Sequence, residues 1–241
     1  MKVYQGSASK VWLEILDDIV QPGAGELPGY VAHIDATTQP DQDFERSLDA
    51  RLGRVGLTPL NTVANTIFPV SLWDPNKPRD ELYRRYDSIW SRVSRDPANK
   101  HGVYFRRIIR FAEDPPVNQA ETVIQNFLSG NHRRSAMQVS IYDPIRDLSN
   151  SRRRGFPCLQ HLVLVPLGGR ALQLTAFYAT QTVVDKAYGN YVGLIRLGRF
   201  FAHSLQMTLT SMTCFTSIGL LGSTGIESAR DISKAMRREI K

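Results

Sequence analysis

Cysteine is scarce in this sequence, whose 241 residues include two, Cys158 and Cys214. Two thiols cannot build a disulfide framework or a cysteine-rich metal cluster, and such low usage is typical of proteins from a reducing compartment. A long hydrophobic run is also missing, because the most apolar stretch, residues 200–221, contains His203, Gln206 and many hydroxyl side chains. Its polarity argues against a membrane span, and the first residues lack the apolar core of a signal peptide. We therefore expect a cytoplasmic protein with no metal site.

Acidic residues are outnumbered by basic residues, 23 to 30, which gives a formal net charge of +7. A positive surface attracts phosphate and other anions but does not specify a fold. No nucleic-acid-binding motif accompanies the charge, so we expect specific nucleic-acid binding to be absent. The apolar fraction of 42% is that of a globular protein. With no repeat or linker in the chain, the economical prediction is a single α+β domain over residues 1–241.

The spacing of apolar residues separates predicted helices from predicted strands. Helical spacing is found at residues 8–20, 79–93, 118–128, 190–205 and 231–241. Alternation or a short apolar run is found at residues 136–142, 159–165, 171–179 and 208–218. The β-prone residues 102–111 predict a further strand, and residues 23–54, rich in glycine, proline and aspartate, predict loops with short strands. The second and third predicted strands form a hairpin, and Cys158 comes immediately before it.

Four segments, in order along the chain, resemble segments of the thymidylate synthase family: GVYFRR, NHRRSAMQVSIYDP, FPCLQHLVLV and YATQTVVDKAYGNYVGL. The first is similar to the family's Gly-Pro-Val-Tyr-Gly, and the second to its Arg-Arg pair, strand and Asn/Asp-Pro turn. The third resembles the Pro-Pro-Cys-His segment that holds the family's nucleophile. The fourth follows, without gaps, the family's Tyr-Gln-Arg-Ser-x-Asp and Pro-Phe-Asn segments. The resemblance extends from about residue 100 to residue 218.

This resemblance implies a fold and an activity. The family's fold is a mixed β-sheet packed with helices, and two subunits associate sheet to sheet in a homodimer. Its enzymes transfer a one-carbon unit, methyl or hydroxymethyl, from methylenetetrahydrofolate to C5 of a pyrimidine nucleotide. The reaction begins when a cysteine thiolate adds to C6 of the base, which makes C5 nucleophilic. We therefore expect a homodimer that binds a pyrimidine nucleotide, with methylenetetrahydrofolate as its cofactor.

Three residues take catalytic roles under this resemblance. Cys158 matches the nucleophile, Tyr104 a tyrosine that assists proton transfer, and Glu81 a glutamate that organises it. Each also has a simpler interpretation, as a small apolar residue before a strand, a buried tyrosine and an exposed helical glutamate. A thiolate at neutral pH needs nearby positive charge, for which Arg152–Arg154 and the pair Arg133-Arg134 are candidates. The alternative for all these arginines is a solvated surface charge.

Four residues take substrate-binding roles under the same resemblance. Arg133 and Arg134 match the pair that reaches across the dimer to the nucleotide phosphate, a group that forked guanidinium side chains suit. Asn190 matches the asparagine that hydrogen-bonds the base edge, and it favours a uracil-like base. Thr180 stands at the position of the serine on the second hairpin strand. An alternative for Asn190 is a helix N-cap.

Several family positions carry other residues in this chain. Ala179 stands where the family has a phosphate-binding arginine, Thr182 where it has the aspartate that holds the folate ring, and Leu159 where it has a histidine. The stretch MTLTSMTCFTSIGLL lacks a counterpart of the family's sugar-reading Gly-Asp-x-His-x-Tyr. Ordinary thymidylate synthesis is therefore not expected. The two main hypotheses are a divergent enzyme that modifies C5 of a pyrimidine, and a related fold retained as a nucleotide-binding or interaction module without turnover. A third is nonspecific nucleic-acid binding through the basic surface, which would show a steep dependence on salt.

Overall fold

The computed structural model describes residues 1–99, 101–112, 114–151 and 156–240. The helices in these ranges are α1 (Ala8–Ile19), α2 (Gln42–Arg54), α3 (Leu60–Ile67), α4 (Arg79–Val93), α5 (Tyr104–Ile109), α6 (Gln119–Leu128), α7 (Pro144–Asp147), α8 (Tyr188–Ser204) and α9 (Ile226–Met236). The strands are β1 (Lys2–Gly6), β2 (Glu26–Asp35), β3 (Gln138–Ser140), β4 (Leu159–Pro166), β5 (Ala171–Thr182) and β6 (Thr208–Leu220). None of these helices combines the length and the apolar character needed to cross a bilayer.

The described strands form a mixed sheet in the order β1-β2-β6-β5-β4-β3. β1 is parallel to β2 and β5 is parallel to β6, while the other neighbouring strands are antiparallel. β4 and β5 form the predicted hairpin, in which Leu159 pairs with Tyr178, and Tyr178 in turn pairs with Thr216 of β6. The prediction of an α+β structure with a mixed sheet packed with helices is confirmed.

The two faces of the sheet differ in burial. Side chains alternate between the faces along a strand, so residues two apart share an environment. On β5 the buried set is Leu172, Leu174, Ala176 and Tyr178, and this face packs against α8. On the other face, Thr175 and Phe177 of β5 and Phe215 of β6 remain partly exposed. The helices and the hydrophobic core therefore lie on one face, and we call the other the open face.

Most of the predicted elements are confirmed. The helical ranges 8–20, 79–93 and 118–128 contain α1, α4 and α6. α8 begins two residues before the range 190–205, and α9 begins five residues before the basic range 231–241 and ends at Met236. The range 208–218 lies within β6, and the hairpin strands begin where they were expected. The apolar residues of these elements recur with a clear period, and the same residues form the buried face of each element in the structure.

The prediction for residues 23–54 is wrong, because this segment forms a ten-residue strand, β2, and a helix, α2. The pairing of β1 with β2 begins at Tyr30, so Pro28 lies where β2 has one neighbouring strand instead of two. α2 begins after Asp41, whose carboxylate accepts the Phe44 N–H at 3.0 Å. The helix then buries one side chain in every four, which is a sparse pattern in a largely polar segment.

The predicted strand at residues 102–111 is also wrong, because Tyr104–Ile109 form the helix α5. Aromatic and β-branched residues favour strands only weakly, and tertiary packing overrides that preference. Phe105, Ile108 and Ile109 have the spacing of one helical face, and all three are buried in the core. This helix carries Tyr104, one of the predicted site residues.

Two glycines of α8 allow close contact with α3, and Gly193 provides a test of that packing. A Cβ at Gly193 would lie 2.7 Å from the Ala64 carbonyl oxygen and 3.0 Å from the Ile67 Cβ. We expect Gly193→Ala to lower the free energy of unfolding by about 1–3 kcal/mol, because backbone atoms of α3 cannot rotate away. Gly53→Ala on α2 is the control, since nothing lies within 4 Å of its Cβ position. Urea denaturation should show Gly53→Ala to be about 0.5–1 kcal/mol more stable than wild type, and equal effects of the two changes would contradict this packing.

Candidate functional site

Cys158 lies in the wall of a pocket of about 220 Å³. The other described residues that line it are Tyr142, Asp147, Ser149, Ser151, Phe156, Pro157 and Thr180. They come from the segment that follows β3, from the approach to β4 and from the far end of β5. Four of these side chains carry hydroxyl groups, which can both donate and accept hydrogen bonds. The pocket therefore offers a polar ligand several partners beside a thiol.

The hairpin register brings Cys158 and Thr180 together. The backbone N–H of Ala179 donates to the carbonyl oxygen of Cys158 at 3.0 Å, which fixes the residue against β5. One residue further along β5, the Thr180 hydroxyl donates to the Cys158 Sγ at 3.4 Å. This contact places a hydroxyl donor directly at the sulfur atom. Two residues that the sequence analysis assigned separately to catalysis and binding are thus direct neighbours.

Tyr104 approaches the same cysteine from α5. Burial raises the pKa of the Tyr104 phenol well above its usual value, the charge of a Cys158 thiolate raises it further, and backbone N–H groups of Leu159 and Cys158 act in the opposite direction. Its ring packs against Phe156, with the ring centroids 5.0 Å apart. At neutral pH Tyr104 is therefore a neutral phenol, which can donate a hydrogen bond or relay a proton but is a poor base.

A buried ion pair supports one wall of the pocket. The guanidinium of Arg107 donates to both carboxylate oxygens of Asp147, with Nη2–Oδ1 at 2.8 Å, and both side chains are almost fully buried. The Arg107 Cζ lies 4.7 Å from the centroid of the Phe156 ring. Asp147 also accepts the backbone N–H of Asp143 at 2.8 Å. This bidentate pair connects α5 to the segment after β3 and holds Phe156, the neighbour of both Tyr104 and Cys158.

Sequence reasoning missed Arg107 and Asp147. They lie 40 residues apart in the chain, and neither belongs to a pattern with a recognisable spacing. The available signal was indirect: Arg107 stands among the apolar residues of α5, where an unpaired charge would be costly. Only the fold identifies its partner.

Asn190 lies in the first turn of α8, and its side chain is buried. The alternative that it caps this helix is wrong, because a π-helical turn at Val183–Ala187 runs directly into α8 and Asn190 already has helical neighbours on both sides. Asn190 is not among the described residues that line the Cys158 pocket. Asn190 is therefore a buried residue inside the first turn of the helix, without a capping role.

The remaining predicted site residues lie away from the pocket wall. Arg133 and Arg134 are exposed in the turn that precedes β3. Glu81 is half-buried in the first turn of α4, and it is absent from the described pocket lining. The arginines of the run 152–154 lie outside the described residues. The structure thus brings together Cys158, Thr180 and Tyr104, but not Glu81, Arg133 or Arg134.

Comparisons with known proteins add one likeness. No protein-family model matches the chain. A stretch of 101 residues is 30% identical to a curated protein of Methanopyrus kandleri that bears the name "Putative thymidylate synthase". The matched stretch covers 42% of this chain and 46% of that protein, so the chain spans less than half the length of the relative. The chain is therefore similar, over part of its length, to a protein named for thymidylate synthesis.

Proposed function

We propose that this protein is a divergent member of the thymidylate synthase family, and that it transfers a one-carbon unit to C5 of a pyrimidine nucleotide through a covalent bond between Cys158 and C6. The observation that carries the proposal is the contact of the Thr180 hydroxyl with the Cys158 Sγ, 3.4 Å apart, in a pocket wall next to the Tyr104 phenol. The partial likeness to the Methanopyrus protein points to the same chemistry.

The proposed first step uses this chain's own residues. The Cys158 thiolate adds to C6 of the base, which forms the Sγ–C6 bond and moves the C5–C6 double-bond electrons towards C5 and the C4 oxygen. C5 then takes up an electrophile or a solvent proton. When a proton later leaves C5, the double bond re-forms and the thiolate leaves C6. Thr180 stabilises the thiolate before and after the adduct, and Tyr104, as a neutral phenol, relays the proton through water.

A buried amide and two exposed arginines are proposed to contact the substrate. The buried amide of Asn190 offers a donor and an acceptor, which together match the edge of a uracil-like base. Arg133 and Arg134 are exposed and free of a described carboxylate partner, so they are available to the phosphate of a nucleotide bound to a second subunit. We also propose Glu81 as the glutamate that organises proton transfer, the role that the resemblance implies for it.

Methylenetetrahydrofolate is the one-carbon donor that the resemblance implies, but the residues present do not fit the family's way of holding it. Thr182, at the end of β5, occupies the position of the folate-binding aspartate. A threonine hydroxyl has no negative charge with which to hold two N–H groups of the folate ring. The proposed steps therefore do not pass through folate, and the donor is a variable in the experiment below.

The homodimer is proposed from the open face. Phe177 of β5 is 38% exposed and stacks on Phe215 of β6, with the ring centroids 5.4 Å apart. Around this pair the open face carries Thr175, Thr213 and Val163, together with His161 of β4, which pairs directly with Phe177. A face of this kind can pack against a second sheet. Two copies packed through this face would cover the aromatic pair, and they would also supply the second subunit that the exposed arginines require.

Cys158→Ala tests the proposed chemistry. With uracil and cytosine nucleotides tritiated at C5, ribo and deoxy, we expect the wild-type protein to release tritium to water from one of them. The Cys158→Ala variant should lose this release by about a thousandfold or more, because no adduct forms without the thiol. Each nucleotide is assayed with and without methylenetetrahydrofolate, which determines whether the donor is needed for turnover.

The second cysteine provides the control for this experiment. Burial raises the pKa of Cys214 to about 12, so its thiol is un-ionised at neutral pH, and Cys214→Ala should release tritium at the wild-type rate. Tight nucleotide binding with no release, unchanged in Cys158→Ala, would contradict the enzyme and favour a binding module.

Phe177→Lys tests the proposed dimer. A charge placed on each of two facing sheets would be desolvated without a partner, so we expect the variant to be monomeric where the wild-type protein is dimeric. Sedimentation velocity at several protein concentrations measures this directly. Val55→Lys is the control, because Val55 is similarly exposed but lies at the end of α2, away from the open face. A wild-type monomer, or a dimer that survives Phe177→Lys, would refute the interface.

A further inference from the structure

A second group of polar side chains is buried behind the Cys158 pocket. Its centre is Gln181 of β5, which is 2% exposed. The Gln181 Oε1 accepts hydrogen bonds from the hydroxyls of Tyr30 at 2.9 Å and Tyr191 at 3.2 Å, and Thr216 lies 3.5 Å away. The other end of the side chain, Nε2, is buried without a partner among the described residues. A buried amide whose oxygen accepts hydrogen bonds while its nitrogen has no partner indicates a further group that accepts hydrogen bonds from the nitrogen.

Tyr178 presents the same feature three residues earlier on β5. Its side chain is fully buried, and its hydroxyl has no hydrogen-bond partner among the described residues. Burying such a group unpaired costs stability, and the full cost is avoided only when an ordered water or a ligand makes the missing bond. A phenylalanine would fill the same space without the cost. The hydroxyl therefore needs an explanation other than packing.

The register of the sheet locates Tyr178 between the two groups. On one side it pairs with Leu159, the residue after Cys158, and on the other with Thr216, which contacts Gln181. Burial raises the pKa of Tyr178 well above its usual value, and charge on Tyr104, Cys214, Cys158 and Tyr30 would raise it further. Tyr178 is thus a neutral phenol at neutral pH, close enough to Tyr104 and to Cys158 to be affected by their charge.

We propose that Tyr178 is a positioning residue for proton transfer at C5: its hydroxyl and the Gln181 Nε2 hold one ordered water, which orients the phenol of Tyr104. This inference rests on the proposed function. The proton that leaves C5 passes to water at Tyr104, the C5–C6 double bond re-forms, and the Sγ–C6 bond breaks to release the thiolate. Tyr178 takes no part in bond making. It restricts the Tyr104 hydroxyl to the orientation from which the relay works.

Tyr178→Phe tests the proposal through the C5 tritium exchange of the wild-type substrate. We expect kcat for exchange to fall about tenfold or more, with KM changed less than about twofold, because substrate contacts are unaffected. The melting temperature should stay the same or rise, since the variant loses a buried hydroxyl without a protein partner. Tyr86→Phe is the matched control: the Tyr86 hydroxyl is also buried without a described partner, but it lies on α4 and outside the pocket lining.

A rate for Tyr178→Phe within twofold of wild type would overturn the proposal, and so would equal losses in Tyr178→Phe and Tyr86→Phe.

A second readout needs no substrate. It is the rate at which iodoacetamide alkylates Cys158, which peptide mass spectrometry measures from pH 6 to pH 10. In Tyr178→Phe we expect this profile to move towards higher pH, because a Tyr104 phenol that the water no longer orients is less able to donate towards the sulfur. If the wild-type protein releases no tritium, the proposed function fails and the role of Tyr178 in C5 proton transfer fails with it. If tritium is released but the alkylation profile is unchanged in Tyr178→Phe, the proposed function stands and the positioning role of Tyr178 is rejected.

Discussion

The hydrogen bond between the Ala179 N–H and the Cys158 carbonyl oxygen, 3.0 Å long, sets the geometry on which the candidate site depends. It closes the open end of the β4–β5 hairpin, and it therefore determines which side chain of β5 faces the thiol. A shift of the hairpin by one residue would turn every side chain to the opposite face. The Thr180 contact, the position of Tyr178 opposite Leu159 and the pocket wall all follow from this register.

The site combines two environments that a thiol-based addition needs. On the pocket side, hydroxyl groups and the half-buried Cys158 remain accessible to a polar ligand. On the core side, neutral phenols and an amide are buried, and the Arg107–Asp147 pair fixes the Phe156 wall. Burial keeps the phenols protonated and strengthens each hydrogen bond among them. The arrangement places hydrogen-bond donors around the Cys158 thiol, whereas the second cysteine, Cys214, is buried in the core.

The sequence predicted the hairpin and four long helices correctly because their apolar residues repeat with a clear period. It predicted Cys158 and Thr180 only through a resemblance, since neither residue is distinctive alone. α5 could not be predicted, because its β-prone residues become helical through burial of Phe105 and Ile108 against the rest of the core. The Arg107–Asp147 pair and the Tyr178–Gln181 group could not be predicted either. Both depend on tertiary neighbours, and no spacing within the chain encodes them.

The central claim is that Cys158 bonds covalently to C6 of a pyrimidine nucleotide. The most direct test is to incubate the protein with 5-fluoropyrimidine nucleotides, whose C5–F bond blocks the later release of the thiolate, and to map the adduct by peptide mass spectrometry. We expect one nucleotide to add its mass to the peptide that contains Cys158, and Cys158→Ala to remain unmodified. An unmodified wild-type protein that nevertheless binds the nucleotide, or an adduct on Cys214, would contradict the account.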